Sequence, residues 1–263
     1  SQSGETMDTL ESLKKLKKNN IVTLSIVNVI NSSIARLSDY VLPTLAGPEI
    51  GVASTKAFTA QLAVLLLLAL HITNQKKSLK KNRYKDNFKS IFNIRKQTNF
   101  VLSNTQNIKK ISESLSKSKS IFFIGRGIMY PLALEGALKL KEITYKHCEG
   151  YAAGELKHGP LALIEKNIPV IGLAPFDKNF DKTMSNIQEV KARGGHIILI
   201  TDSLGVKKAK KYCDQIILMP KTNFLSSPII YSLPIQLISY YLAVKLKRDV
   251  DKPRNLAKSV TVE

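Results

Sequence analysis

A helix–strand–strand–helix pattern occurs twice in this chain, and the repeat constrains the fold more than any other feature of the sequence. The first copy predicts helices over about 6–18 and 53–74, with strands near 21–27 and 40–43 between them. The second predicts helices over about 183–193 and 231–247, with strands near 197–201 and 215–220. Helices that alternate with short Val/Ile/Leu-rich strands are typical of a parallel α/β sheet.

The two copies also match residue by residue, at an offset of about 175 to 177 positions. The matched positions, first copy then second, are Thr6-Met7 with Thr183-Met184, Asp39 with Asp214, Pro43 with Pro220, and Gln61-Leu62 with Gln236-Leu237. Chance similarity between two αβ units is the alternative. Because order and spacing both agree, the pattern favours two copies of one domain.

Three predicted elements precede the second copy and have no counterpart before the first copy. They are a strand over 120–125, a helix over 129–147 and a strand over 169–174. Since a repeated domain should have the same elements in both copies, we expect roughly 55–60 further residues of the first domain to lie upstream of Ser1. The predicted fold class is α/β, with two tandem flavodoxin-like domains whose parallel sheets are flanked by helices, the first being incomplete.

The first six residues form a hydroxyl-rich run that leads directly into the first predicted helix. Its sequence is Ser1-Gln2-Ser3-Gly4-Glu5-Thr6. Helix N-termini present unpaired N–H donors and the positive end of the helix dipole, which favour phosphate. The equivalent segment of the second copy, 176–180, is bulky, partly acidic and poor in hydroxyls. The sequence therefore predicts one phosphosugar site, in the first copy.

Three ionisable residues share one face of the helix predicted over 129–147. At 100° per residue, Glu135, Lys139 and Glu142 fall within an arc of roughly 60°. Apolar residues cover most of the remaining helix surface, so these charges must pair with one another or face a polar cavity. One interpretation is a structural ion-pair ladder. The other is a carboxylate with a shifted pKa that moves protons on a substrate.

Two further candidates come from chemistry-bearing side chains outside that helix. The segment 150–160 combines small residues with a Gly-Pro turn, which predicts a loop, and His158 lies within it close to the charged helix. The last ten residues carry Leu and Val and are predicted to dock against the body of the protein. Lys258 in that tail is either an amine nucleophile or a surface lysine.

The net charge of +20 suggests nucleic-acid binding, but the charge is spread along the chain. The densest stretch, 76–96, holds nine Lys and Arg residues opposed only by Asp86. Elsewhere the lysines occur as scattered pairs. We therefore predict no nucleic-acid partner and interpret 76–96 as a solvated interdomain segment, with contact to a polyanion as the alternative.

Composition also argues against secreted, metal-binding and membrane classes of protein. The two cysteines, Cys148 and Cys213, make neither a disulfide framework nor a metal-ligand pattern, so we expect no metal and a reducing, cytoplasmic compartment. No secretion signal is recognisable. The apolar run over 57–72 is interrupted by polar residues and too short to span a bilayer, which predicts a buried core helix and no membrane partner.

Five motifs resemble the isomerase half of the glucosamine-6-phosphate synthase family, also called glutamine–fructose-6-phosphate aminotransferase. They are SQSGET at 1–6, PEIGVASTK at 48–56, ALEGALKLKE at 133–142, GELKHGP at 154–160 and KPRNLAKSVTVE at 252–263. The resemblance runs from the first residue to the last and implies two sugar isomerase (SIS) domains. It places a partial first domain over 1–80, a helical connection over 81–115, the second domain over 116–250, and a tail over 251–263 that closes the sugar site.

The resemblance also implies a role for each matched residue. Ser1, Gln2, Ser3 and Thr6 would hold the phosphate of fructose 6-phosphate, and Val52 and Ser54 would line the sugar site, with Glu135 among the substrate-binding residues. Glu142 would move a proton between C1 and C2, with Lys139 nearby. His158 would assist ring opening across a dimer interface. Ala257 and Lys258 would close the pocket, with Lys258 near the C2 carbonyl where an imine forms.

The partners implied by the resemblance are fructose 6-phosphate, glucosamine 6-phosphate and a second copy of the chain. No metal or organic cofactor is expected, since the carbonyl already acidifies the adjacent C–H bond. The glutaminase domain that releases ammonia from glutamine is expected to be missing. The alternative is a non-catalytic phosphosugar-binding SIS module, which would need the loop but not Glu142, His158 and Lys258.

Overall fold

A computed structural model describes residues 1–77 and 81–258. The chain divides into two units by its internal contacts. The first unit comprises Ser1–Leu79 with Asp251–Glu263, and the second comprises Lys80–Val250. The segment 81–115, expected as a connection between domains, therefore forms part of the second unit.

The first unit pairs two short strands and packs helices beside them. Its elements are α1 (Met7–Lys18), β1 (Leu24–Val27), α2 (Ser33–Leu37), β2 (Tyr40–Pro43) and α3 (Lys56–Gln75). The strands are parallel, with Leu24 opposite Tyr40 and Val27 opposite Pro43. Leu13 of α1, Val27 of β1, and Ile34 and Ala35 of α2 form its small buried core.

The second unit contains a five-stranded parallel sheet flanked by helices. Its strands are β3 (Ser120–Gly125), β4 (His147–Ala152), β5 (Pro169–Leu173), β6 (His196–Asp202) and β7 (Gln215–Met219). They lie in the order β4-β3-β5-β6-β7. The helices of this unit are α4 (Lys81–Ser103), α5 (Thr105–Ser114), α6 (Met129–Thr144), α7 (Phe180–Ala192), α8 (Ser203–Ala209) and α9 (Ser227–Lys245). The central strands are buried on both faces, as their continuous apolar sequences require. The predicted α/β fold with parallel sheets flanked by helices is confirmed.

The internal repeat is visible in the element order and in one conserved hydrogen-bond network. Elements α1-β1-α2-β2-α3 follow the same order as α7-β6-α8-β7-α9. In the first copy, Asp39 accepts from Lys17 Nζ at 2.5 Å and from Thr23 N at 2.8 Å. In the second, Asp214 accepts from Lys191 Nζ at 2.5 Å and from Ile197 N at 2.7 Å. Each aspartate thus ties the end of one helix to the two paired strands that follow it.

Hydrogen bonds to these aspartates dominate their titration. Lys17 and the two donors of Thr23 lower the pKa of Asp39 to about 2. At Asp214 burial opposes ionisation, but the bonds from Lys191 and Ile197 outweigh it and the pKa is lowered. Equal chemistry at aligned positions supports the duplication beyond similarity of pattern alone.

Two local expectations were wrong. The segment 150–160 is not a loop throughout: β4 extends to Ala152, and 3₁₀ helices follow over Ala153–His158 and Pro160–Leu163. A strand was missed here because its sequence, HCEGYA, has little of the apolar character expected of a buried strand.

The helix predicted over about 53–74 forms as α3, but its apolar run over 57–72 is more exposed than expected of a core helix. In α3 only Ala57, Leu66 and Leu70 are buried, while Leu65 and Leu67 remain about half exposed. By length and composition α3 and α9 could each cross a membrane, so the expectation that this run is too short for a bilayer was also wrong. The two differ in burial, since 61% of the apolar stretch of α9 is buried against 11% for α3.

Candidate functional site

The 1–6 loop in the first unit is held by its own hydroxyl groups. Ser1 Oγ accepts from Gly4 N at 3.0 Å and lies 2.9 Å from Thr6 Oγ1, while Ser3 Oγ accepts from Glu5 N at 3.2 Å. Glu5 accepts from Ser33 N at 2.8 Å, which ties the loop to the start of α2. One hydroxyl of the Ser1–Thr6 pair donates to the other, so the other hydroxyl of that pair and the Ser3 hydroxyl, which accepts from the backbone, keep protons to donate to an anion.

A glycine allows the loop to pass close to α2. Gly4 has φ of +69°, a conformation that favours glycine, and a Cβ at this position would collide with Ser32 Oγ. Ser32 in turn caps α2 by accepting from Ala35 N. The loop ends at Thr6, the N-cap of α1, whose side chain makes no capping hydrogen bond. The hydroxyl of Thr6 and the first turn of α1 therefore face the same region as Ser1.

A cavity of about 660 Å³ opens beside this loop, within the first unit. It is lined by Gln2, Asn28, Val29, Ile30, Asn31, Leu45, Gly47, Pro48 and Glu49. Residues 28–31 follow the end of β1 and residues 45–49 follow the end of β2, so the cavity lies at the carboxyl ends of parallel strands. Ligands of α/β folds bind at this edge of the sheet.

Asn28 shapes the cavity wall. Its Oδ1 accepts from Thr44 Oγ1 at 3.1 Å and from Ala46 N at 2.9 Å, and its Nδ2 donates to Gly47 O at 2.8 Å. One side chain thus holds the connection after β2 around the cavity. Sequence inspection did not single out Asn28, although its position directly after β1 is where such a polar residue would be expected.

Glu49 gathers two of the predicted sugar-site residues. Its carboxylate accepts from Ser54 Oγ at 2.8 Å, from Thr55 N at 2.8 Å and from Lys258 Nζ at 3.2 Å. The Lys258 ammonium also donates to Gly51 O at 2.6 Å. Burial by itself would raise the pKa of Glu49, but the hydrogen bonds from Thr55 N, Ser54, Ala57 N and Lys258 bring it down to about 2. Sequence inspection assigned no role to Glu49, although it lies in the motif at 48–56.

The other two predicted residues of this part of the site lie next to that cluster along the chain. Val52 is partly buried, and its N–H donates to Asp251 O at 2.9 Å, which joins the tail to the segment before α3. Ala257 is exposed and directly precedes Lys258. The tail residues 259–263, which the sequence motif includes, lie outside the described residues, as do residues 78–80 of the basic stretch.

The charged stripe of the second unit is formed as the helical periodicity predicts. On α6, Lys139 Nζ lies 2.6 Å from Glu142 Oε2 and 3.7 Å from Glu135 Oε1. The Lys139 side chain is 5% exposed, and those of Glu135 and Glu142 are 14% and 21% exposed. Burial raises the pKa of Glu135, with Lys139 opposing this and Glu142 adding to it. A shifted carboxyl is therefore present on this face, at Glu135.

Close packing of α6 on the sheet fixes where the stripe lies. A Cβ on Gly150 of β4 would lie 2.7 Å from Ala133 O and from Leu134 N, both backbone atoms of α6. Only glycine permits this approach. The α6 helix then ends at Tyr145, which adopts the left-handed conformation typical of helix C-termini.

His158 lies in the same unit but is not buried. It ends the 3₁₀ helix over Ala153–His158 and is exposed to solvent. Its neighbour Lys157 pairs with Glu189 at 3.1 Å, which anchors this segment to α7. The second unit also has a cavity of about 470 Å³, at the amino ends of β3 and β5, but none of the predicted site residues lines it.

Comparison with known proteins identifies the family. The model of the SIS domain matches residues 1–71 and 114–246, which together make up most of the chain. The chain belongs to the SIS-domain family. The two matched segments fall on the two copies of the internal repeat, which agrees with the predicted tandem arrangement.

This SIS-family chain is similar to curated glutamine–fructose-6-phosphate aminotransferases along its whole length. It is 53% identical to that of Mesorhizobium japonicum over 263 residues and 52% identical to that of Bartonella quintana. The match covers 100% of this chain but only 43% of each of those relatives. The chain therefore spans less than half the length of the curated relatives that it matches.

Solved structures agree with the sequence matches. The C-terminal domain of glucosamine-fructose-6-phosphate aminotransferase from Francisella tularensis has a TM-score of 0.92 and is 48% identical, over 96% of this chain and 72% of that one. A glucosamine-6-phosphate deaminase from Thermotoga maritima has a TM-score of 0.72 at 22% identity, over 99% of this chain and 73% of that one, which shows a shared fold only. The resemblance to the isomerase half of the synthase family is confirmed.

The part of the SIS chain that the structure describes contains no cluster of three or more His, Cys, Asp or Glu residues placed to hold a metal ion. Burial raises the pKa of both cysteine thiols, Cys148 and Cys213, to about 12.

Proposed function

We propose that the chain performs the sugar chemistry of a glutamine–fructose-6-phosphate aminotransferase. In this reaction fructose 6-phosphate and ammonia derived from glutamine become glucosamine 6-phosphate, an aldose with an amine at C2. The observation that carries the proposal is the buried stripe of Glu135, Lys139 and Glu142, because a module that only binds phosphosugars has no need of charges held out of water. We further propose a cytoplasmic homodimer as the working form.

The phosphate group is assigned to the 1–6 loop. Ser1, Ser3 and Thr6 supply hydroxyl donors at the start of α1, and Gln2 lines the adjoining cavity. Dianionic phosphate gains from such donors and from the positive end of the helix dipole. The cavity of about 660 Å³ is large enough for a hexose phosphate.

Glu142 is assigned as the group that moves the proton. After the ring opens, ammonia adds to the C2 carbonyl and water leaves, and the resulting imine acidifies the hydrogens on C1. Glu142 takes one proton from C1 while the imine nitrogen gains a proton from solvent, which gives an enaminol. Glu142 then returns its proton to C2 as the O1 hydroxyl releases its proton to solvent, so that the amino aldose forms and the carboxylate is regenerated. Lys139 holds that carboxylate at 2.6 Å and balances its charge.

The remaining residues take supporting roles in this proposal. His158 assists ring opening from an exposed position where a second copy of the chain can reach it. Val52 and Ser54 line the sugar site and Ala257 covers it. Lys258 is assigned to the C2 oxygen, and Glu135 to substrate hydroxyls.

Deuterium exchange tests the proton transfer without requiring glutamine or ammonia. The 263-residue chain is incubated with glucosamine 6-phosphate in D₂O, and loss of the C2 proton signal is followed by NMR. We expect exchange at C2, reduced by a factor of about 100 or more in Glu142→Gln. Asp181→Asn, whose side chain is 83% exposed, is the matched control and should exchange at the wild-type rate.

The same experiment decides between an enzyme and a binding module. Sugar phosphate binding by calorimetry without C2 exchange would indicate the non-catalytic alternative. Exchange that is equally fast in Glu142→Gln would refute the role of Glu142, while leaving the family assignment intact.

A further inference from the structure

Glu49 is a buried carboxylate to which the proposed mechanism gives no role. Its side chain is 5% exposed, and it lines the cavity beside the 1–6 loop. A buried carboxylate is costly unless each oxygen is satisfied. Both oxygens of Glu49 are, and the donors come from the residues that the resemblance assigns to the sugar site and from the start of α3.

The two carboxylate oxygens serve different groups. Oε1 accepts from Thr55 N at 2.8 Å, from Thr55 Oγ1 at 3.1 Å and from Ala57 N at 3.3 Å, all at the first turn of α3. Thr55 is the N-cap of α3 but forms no side-chain cap of its own, so Glu49 takes that place. Oε2 accepts from Ser54 Oγ and from Lys258 Nζ.

Through its two oxygens, the Glu49 carboxylate therefore links Lys258 to the N-terminal end of α3. Lys258 is 209 residues from Glu49 in sequence, and its ammonium donates to the Glu49 carboxylate and to the carbonyl oxygen of Gly51. Both are acceptors, so the nitrogen in this arrangement is a donor, as an ammonium is. A long, flexible side chain is thereby held at one point beside the cavity.

We propose that Glu49 is a positioning residue that holds the Lys258 side chain at one point beside the sugar cavity and so limits its access to other partners. The proposal rests on the assignment of Lys258 to the C2 oxygen. In that role the ammonium donates a hydrogen bond to the oxygen. Other charged groups near this cluster are Asp251, beside Gly51, and Lys56, whose Nζ lies near Gly47.

Competitive acylation of lysines in the intact chain tests the proposal directly. The chain is treated at pH 8 with a trace of an amine-acylating reagent, and the modified fraction of every lysine is read by peptide mass spectrometry. In Glu49→Gln, which keeps the shape but removes the charge, we expect Lys258 to react about fivefold faster while Lys56 is unchanged. Glu49→Asp, which keeps the charge, should stay near the wild-type rate.

Glu11→Gln provides the matched control for loss of a carboxylate that pairs with lysine. The Glu11–Lys14 pair is shorter, at 2.6 Å against 3.2 Å for Glu49–Lys258, but about half exposed, so its removal should change the reactivity of Lys14 by less than twofold. Equal reactivity of Lys258 in wild type and Glu49→Gln would overturn the proposal. Faster reaction of all lysines in Glu49→Gln, with no preference for Lys258, would also overturn it, because Glu49 would then only stabilise the fold by capping α3.

Repeating the acylation with fructose 6-phosphate present separates this inference from the proposed function. If fructose 6-phosphate protects Lys258 from acylation, both hold. If Glu49→Gln activates Lys258 but the sugar phosphate gives no protection, the positioning role stands and the assignment of Lys258 to the substrate fails. Because the reactivity of every lysine is read in the same sample, a change confined to Lys258 is a readout that general loosening of the fold would not give.

Discussion

Replacing Lys139 with methionine tests how the charged stripe of α6 is stabilised. Methionine keeps much of the volume of the lysine side chain but removes its charge. Glu135 and Glu142 are then left as two carboxylates, 14% and 21% exposed, with no cation between them. Breaking a buried ion pair on one side is among the most destabilising of single changes.

The expected loss follows from the distances. With an effective dielectric constant of about 20, the Lys139 ammonium gains about 6 kcal/mol from Glu142 at 2.6 Å and about 4 kcal/mol from Glu135 at 3.7 Å. Most of this attraction is offset by the cost of removing the charges from water. We therefore expect a net loss of about 3 kcal/mol in the free energy of opening α6 at pH 8.

The loss should depend on pH, and its sign is set by the two carboxyl groups. Burial already raises the pKa of Glu135, and without Lys139 the cation that opposes this rise is gone. Below about pH 4.5 the carboxyls are protonated in both states, so the ionisation penalty is small there. It grows as the pH rises, because the unfolded chain releases protons that the folded chain retains. At pH 5.5 we expect a loss nearer 1 kcal/mol.

Hydrogen exchange with mass spectrometry measures this loss locally. Peptides from Met129–Thr144 should exchange about 100-fold faster in Lys139→Met at pH 8, after correction for intrinsic rates, and much less so at pH 5.5. Peptides from α1 in the first unit serve as the internal control. An equal loss at both pH values, or a loss under about 1 kcal/mol at pH 8, would refute the view that the stripe is electrostatically coupled.

Three further outcomes are expected. Because Glu49 has a pKa of about 2, its carboxylate should stabilise the first unit by about 3 kcal/mol above about pH 4.5, and this stabilisation should be lost as the pH falls toward 2. In acid titrations followed by circular dichroism, Glu49→Gln should lack this pH dependence. Gly150→Ala should cost about 2 kcal/mol or more in thermal unfolding, whereas Gly159→Ala, where a Cβ meets nothing within 4 Å, reports only the strain of its φ of 143°. At pH 8 neither Cys148 nor Cys213 should react quickly with a thiol reagent, and Cys148, which is 0% exposed, should react last; rapid reaction of native protein would contradict this.

Much of the fold could be predicted because the decisive signals are local. The strand β3 was predicted with its observed bounds, Ser120–Gly125, since a continuous apolar run between turn residues has few alternatives. The stripe on α6 follows from helical geometry alone, which places positions three and four apart on one face. The repeat was visible because aspartates occur at the matching positions 39 and 214, where each accepts a hydrogen bond from a backbone N–H close to the start of the preceding strand.

The expectations that failed depended on distant parts of the chain. The strand β4 has a mixed sequence, and it is a strand because β3 beside it supplies hydrogen-bond partners in parallel register, with Ser120 opposite His147. Burial of α3 was overestimated for a related reason. Apolar character shows that a helix could be buried, but only the neighbours that pack on it decide whether it is.

By itself, the sequence determined the α/β architecture, the tandem repeat, the hydroxyl-rich 1–6 loop and the charged face of α6, since each depends on a pattern of residues close together along the chain. The tertiary structure alone decided that Lys258 meets Glu49 across 209 residues and that Asn28 holds the far wall of the cavity. Such contacts form when separate segments converge at the ends of parallel strands. These contacts cannot be predicted from spacing along the chain, because loop closure brings together residues that are far apart in sequence and share no periodic pattern.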